Sequence, residues 1–120
     1  MQLIDTLRER LAHESSLFHA QLLREDIARL ARLESLAASA ASFDAFRDAA
    51  RRLGWTQGDA RTHELAEPLD ALLDAVYASS RGSADAAQEA RIEAAWRALY
   101  RLRMERLVGC LSPPVPKPVD

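Results

Sequence analysis

Three histidines, one cysteine and a scatter of serines and carboxylates are the side chains here that could do chemistry, and their spacing argues against most of it. His13 and His19 are six apart, which turns their rings onto different sides of a helix, and His63 is remote from both. A di-iron bundle would need paired Glu-x-x-His signatures, and none occurs. Cys110 is alone, so it has neither a disulfide partner nor a Cys-x-x-Cys ligand set. Ser15, Ser16, Ser39, Ser79 and Ser80 lack a Gly-x-Ser-x-Gly frame, and Gly54, Gly58, Gly82 and Gly109 are too dispersed to cradle a phosphate. Glu25 and Asp26 come with Arg29 at helical ion-pair spacing, which reads as a solvated, salt-bridged face. The sequence therefore predicts no catalytic site, no metal and no cofactor.

Contact chemistry is better represented. Between Arg91 and Arg106 five arginines oppose Glu93 and Glu105, interleaved with Ile92, Trp96, Leu99, Tyr100, Leu102 and Met104. These apolar residues cover more of a helix circumference than one neighbour can hide, and Arg103 and Arg106 project into the band. Aromatic and Arg side chains dominate contact energetics, so Trp96, Tyr100, Arg103 and Arg106 are the predicted partner anchors.

The elements that must position them are helical. Leu and Ala make up about a third of the 120 residues, whereas Val, Ile and Thr are scarce. From Leu3 to Leu36 no Gly or Pro interrupts the apolar spacing, which predicts one helix about 50 Å long at 1.5 Å per residue. Its stripe changes face halfway: Leu3, Ile4, Leu7, Leu11, Phe18 and Leu22 lie on one side, Leu23, Ile27 and Leu30 on nearly the other. Either the helix breaks around His13 to Ser16, or its halves face different partners; the second reading is preferred, and it makes Leu23 and Ile27 contact residues.

Ser42 has the residue type and position of an N-cap for a second helix with Asp44 in its first turn, and Gly54 with Trp55 forms its stop. Pro68 suits the first turn of a third helix beginning near Glu67 and running to about Ser80, in an acidic stretch. Ser83 or Asp85 can cap the last helix, about Ala84 to Cys110, and Asp85 with Gln88 has capping-box spacing. Residues 112–120 carry four prolines and are expected to be an extended tail with a Pro113 to Pro116 PxxP spacing.

The run Arg51, Arg52, Leu53, Gly54, Trp55, Thr56, Gln57 resembles the opening of Cro/repressor-type helix-turn-helix domains. That resemblance covers seven residues and implies a DNA-reading helix downstream. The downstream segment instead carries Pro68 and the acids Asp70 and Asp74, which would repel a phosphate backbone.

The formal net charge is −2 with both signs interspersed, so no global field attracts nucleic acid or an anionic membrane. Fifteen of the sixteen cations are Arg, a composition typical of a GC-rich bacterial genome. No run approaches the length of a membrane span and no secretory apolar segment opens the chain, which makes the cytoplasm the expected location.

Together these readings predict an all-α, antiparallel four-helix bundle over residues 1–111, with the long first and last helices as its principal pair and a Pro-rich tail over 112–120. The expected function is a non-catalytic protein-binding module, an adaptor, chaperone or inhibitor that occupies a partner surface, with homodimerisation open. The alternative is a nucleic-acid-binding regulator that uses the Arg-rich last helix.

Overall fold

Runs of Leu, Ala, Arg and Glu free of β-branched clusters produce helices throughout. The computed structural model describes residues 1–53, 55, 62–82 and 85–111, the side chains of 62–64 and 106–111 excepted. It is all-helical: α1 (Gln2–Ala12), α2 (Leu17–Ser39), α3 (Phe43–Arg51), α4 (Thr62–Arg81) and α5 (Ala86–Leu111), with no strand among the described residues. None of these helices is long and apolar enough to cross a membrane. The Pro-rich segment 112–120 lies outside the described residues.

The long first helix expected over Leu3 to Leu36 is two helices. α1 closes with the His13 N–H donating to the Arg10 carbonyl at 3.1 Å and the Glu14 N–H donating to the Leu11 carbonyl at 3.2 Å. Ser16 then opens α2 in an extended conformation, its hydroxyl accepting the His19 N–H at 3.4 Å. The break corrects the preference for a continuous rod, and its cause is the change of apolar face. A straight helix would hold Leu3 and Leu7 on nearly the opposite side from Leu23 and Leu30, whereas the broken one brings both sets into a single core.

The neighbour relations differ from expectation as well. α5 packs chiefly on α4 and only lightly on α1; α2 packs on α1 and α4, and α3 sits on α2 and α4. Among the described residues, the backbones of α2 and α5 do not approach one another. The first and last long helices are thus not the principal pair. Only long side chains connect them.

Ser42 caps α3 by accepting the Ala45 N–H at 3.2 Å, as its position predicts. Phe46 and Ala50 are buried under this helix, and Phe43, Phe46 and Tyr77 form an aromatic group joining α3 to α4. Arg81, at the end of α4, lies over the Tyr77 ring and donates to the carbonyls of Ala37 and Ala40, tying down the end of α2. Trp55 is buried, in keeping with its reading as a packed stop; Gly54 lies outside the described residues.

α4 begins at Thr62 rather than near Glu67, so Pro68 lies inside it. Interior Pro costs a helix about 3 kcal/mol, but burying a Leu side chain stabilises by about 1.5–3 kcal/mol. The early start places Leu65 on the same buried stripe as Leu69, Leu72, Leu73 and Val76. At the head of α5, Asp85, one of the two expected caps, accepts the Gln88 N–H at 2.9 Å; the other, Ser83, lies outside the described residues.

Candidate functional site

Asp26 is the one fully buried charged side chain among the described residues. It sits in the stripe Ala20, Leu23, Leu30, Leu33 and Ala37 by which α2 faces the core. Oδ1 accepts from Nη1 of Arg29 at 3.1 Å and Nη1 of Arg103 at 3.0 Å; Oδ2 accepts from Trp96 Nε1 and from the same Arg103 nitrogen, both at 3.0 Å. Burial of a carboxylate is tolerable only with this degree of pairing. Arg29 extends the cluster, donating from Nε to the Leu53 carbonyl at 3.1 Å. The Trp55 ring lies within 5.5 Å of the Arg29 guanidinium and 5.6 Å of that of Arg103, so two cations engage one indole. Its own Nε1 is buried with no partner among the described residues.

The reading of Glu25, Asp26 and Arg29 as a solvated face is therefore corrected for Asp26. Arg29 does reach Glu25, at 3.9 Å, on the outer side. A signal for the inner role was present in the spacing 23, 26, 30, 33, 37, which puts Asp26 on the apolar stripe and calls for a buried cation.

The predicted partner anchors are placed as follows. Trp96 is 2% exposed, and Leu23 is enclosed completely. Ile27 packs partly buried against the core, and the Arg103 side chain, 11% exposed, is engaged by Asp26. Tyr100 is half-buried; the Arg106 side chain lies outside the described residues. The apolar band of α5 is thus largely absorbed by the chain itself, with Ile92, Trp96 and Leu99 in the core and Ala95, Tyr100 and Leu102 against it.

Exposure is concentrated elsewhere. Leu17 is 85% exposed and Phe18 40%, the two large apolar side chains left outside among the described residues. Both lie at the corner where α1 turns into α2, a place that a continuous first helix would not contain. The corner is continuous with a second feature. The Phe18 ring meets His19 edge-on at 5.6 Å, His19 Nδ1 and the Tyr100 hydroxyl are 3.3 Å apart, and the Arg10 guanidinium lies 5.7 Å from the centre of the Tyr100 ring. Beyond Tyr100 an open groove of about 410 Å³ runs between α1 and α5, lined by Leu3, Leu7, Arg10, Trp96, Arg97 and Tyr100 among others. Trp96 and Tyr100 stack at 4.9 Å along it, and Arg97 pairs with Glu93 at 2.7 Å.

Burial pushes the Tyr100 hydroxyl above its ordinary pKa, with Asp26 and Glu14 adding to the effect and Arg10 and Arg103 opposing it. Tyr100 is therefore a neutral hydrogen-bonding group at physiological pH. No group of three or more His, Cys, Asp or Glu side chains able to hold a metal occurs among the described residues. No protein-family model, no curated protein and no solved structure matches the chain.

Proposed function

We propose that the chain is a non-catalytic protein-binding module, acting in the cytoplasm as an adaptor, chaperone or inhibitor does, by occupying a partner surface. Its contact surface is the α1–α2 corner together with the adjoining α1–α5 groove, carried on a bundle whose core is closed by α1, α2, α4 and α5. One observation carries the reading: Leu17 and Phe18 stand exposed, and run without interruption into Tyr100 and Arg10. Contact surfaces are enriched in aromatic and Arg side chains around an apolar centre, and this corner has that composition. The Arg-rich face of α5 supports the nucleic-acid alternative less well, because Arg103 is held by Asp26 and Arg97 by Glu93.

The test is cross-linking of the chain in an extract of its native host, with the Leu17→Ser/Phe18→Ser double variant alongside. Adducts that form with the original chain and disappear with the variant, at unchanged melting temperature, are the expected result. An adduct pattern indifferent to the double substitution, or no adduct at all, refutes the reading.

A further inference from the structure

α1 is attached to the rest of the chain through few side chains. Leu3, Ile4 and Leu7 are its buried residues, and the remainder of the core comes from the other helices and Trp55. Its polar ties are exposed to solvent: the Met1 amine donates to Glu34 at 2.9 Å, and the Gln2 N–H to Glu89 at 3.1 Å. Toward α5 the seam is open, because the groove of about 410 Å³ parts Thr6 and Arg10 from Glu93 and Arg97. That seam lies over the aromatic side of α5. Trp96, beside Leu3 and Leu7, is 2% exposed with α1 in place, and its stacking partner Tyr100 is half-buried under the Arg10 guanidinium.

The corner that carries α1 can straighten without strain. His13 to Ser16 include no Gly or Pro, and neither His13 (φ −107°, ψ 2°) nor Ser16 (φ −79°, ψ 121°) is left-handed. Rotating the Ser16 ψ toward the helical value of about −42° continues the helix. Two contacts oppose it, the His19 N–H on the Ser16 hydroxyl at 3.4 Å and the Ser16 N–H on Glu14 at 3.1 Å. In the straightened form Phe18, already 40% exposed, extends the stripe of Leu3, Ile4, Leu7 and Leu11. We infer that α1 is a detachable strap: it swings off at the corner and bares the Trp96 and Tyr100 side of α5 for an amphipathic helix of a partner protein. That helix carries apolar residues at the spacing of Leu3, Ile4 and Leu7 and a cation where α1 has Arg10, because α1 itself fills the seat and a helix of its pattern fits it. The corner contact is exposed whether α1 is seated or not, so this surface is additional to it.

Two measurements on the full chain give the test. In native-state hydrogen exchange, the α1 amides are expected to exchange together, about tenfold or more faster than those of Leu72 and Leu73 in α4, and with a weak dependence on urea where α4 shows a steep one. Amides of α1 that share the protection and urea dependence of α4 overturn the inference, since α1 then leaves only when the whole chain unfolds. The second measurement places spin labels at Asp5→Cys and Arg32→Cys, both exposed positions, in a Cys110→Ser background. The labels are close with α1 folded back on α2 and about 40 Å apart along one continuous helix. A synthetic peptide of residues 1–13, at about 1 mM, is expected to raise the long-distance population, and the same peptide with Leu3→Ser and Leu7→Ser is not. Leu7→Ala in the protein, which loosens the strap, should lower the peptide concentration needed by about tenfold or more, because a bound helix competes with α1 for one seat. A distance distribution indifferent to the peptide, or one raised equally by its serine variant, overturns the inference even if Leu7→Ala does not fold. Neither result bears on adducts that depend on Leu17 and Phe18, so the corner contact stands or falls separately.

Discussion

Replacing Asp26 with Asn removes the charge from a side chain that accepts four hydrogen-bond contacts, and does so at nearly constant volume. The amide keeps one acceptor oxygen but turns a nitrogen donor toward either Trp96 Nε1 or the arginines, so one donor must face another. Arg103 and Arg29 are left 11% and 20% exposed respectively without their counter-charge. Removing one partner of a buried ion pair costs about 3–5 kcal/mol, against a total stability of about 5–15 kcal/mol for a domain of this kind. At about 4 °C per kcal/mol for this length, the melting temperature falls by about 12–20 °C. Urea unfolding followed by circular dichroism and by tryptophan emission measures the change, and both tryptophans belong to the cluster. Asp26→Leu with Arg103→Met should cost less than the sum of the two single changes, since a well-packed apolar pair can replace a buried ionic one at little or no cost. An Asp26→Asn protein within about 1 kcal/mol of the original refutes the argument, for it would mean the arginines find solvent as easily as they find the carboxylate.

Pro68→Ala should stabilise the chain by about 1–3 kcal/mol in the same urea assay, because Ala restores a backbone donor inside α4; a loss of stability would instead place Pro68 in the helix's first turn. Trp96→Ala should cost about 3–5 kcal/mol and Leu17→Ser less than about 0.5 kcal/mol, and similar losses at the two positions would contradict their burial. In a Tyr77→Phe background, absorbance at alkaline pH should show Tyr100 ionising above the ordinary value of 10.0. The folded state then holds a proton that the unfolded chain gives up, so this contribution is complete below pH 10 and declines as pH rises through the folded-state value. A titration midpoint at or below 10.0 would remove it.

Local signals in the sequence were reliable wherever they depended on a single turn of chain. Ser42 and Asp85 occupy capping positions their neighbours imply, since a cap is decided by residues three or four away. The change of apolar face along residues 3–36 was also visible, but whether it meant a break or two partners depended on where the rest of the core lay. Gly and Pro are absent at His13 to Ser16, so the turn rests on the Ser16 cap and on what each half can bury. The start of α4 was misplaced for a related reason: the Pro68 signal is local, whereas the burial of Leu65 that outweighs it is tertiary. The contact surface was the least legible part. Apolar residues on α5 looked too many because α4, α1 and α2 together cover them, and Phe18 looked ordinary because a straight helix would have continued its stripe.

Asp26 and its arginines connect stretches of chain that are far apart in sequence: α2, the residues Leu53 and Trp55 that follow α3, and the second half of α5. Helices whose backbones stand apart are thereby coupled at one carboxylate, much as a keystone couples the two sides of an arch. Trypsin cutting at exposed Arg52 and at exposed Arg101 should consequently accelerate together when the carboxylate is removed, although neither bond lies near residue 26 in the sequence.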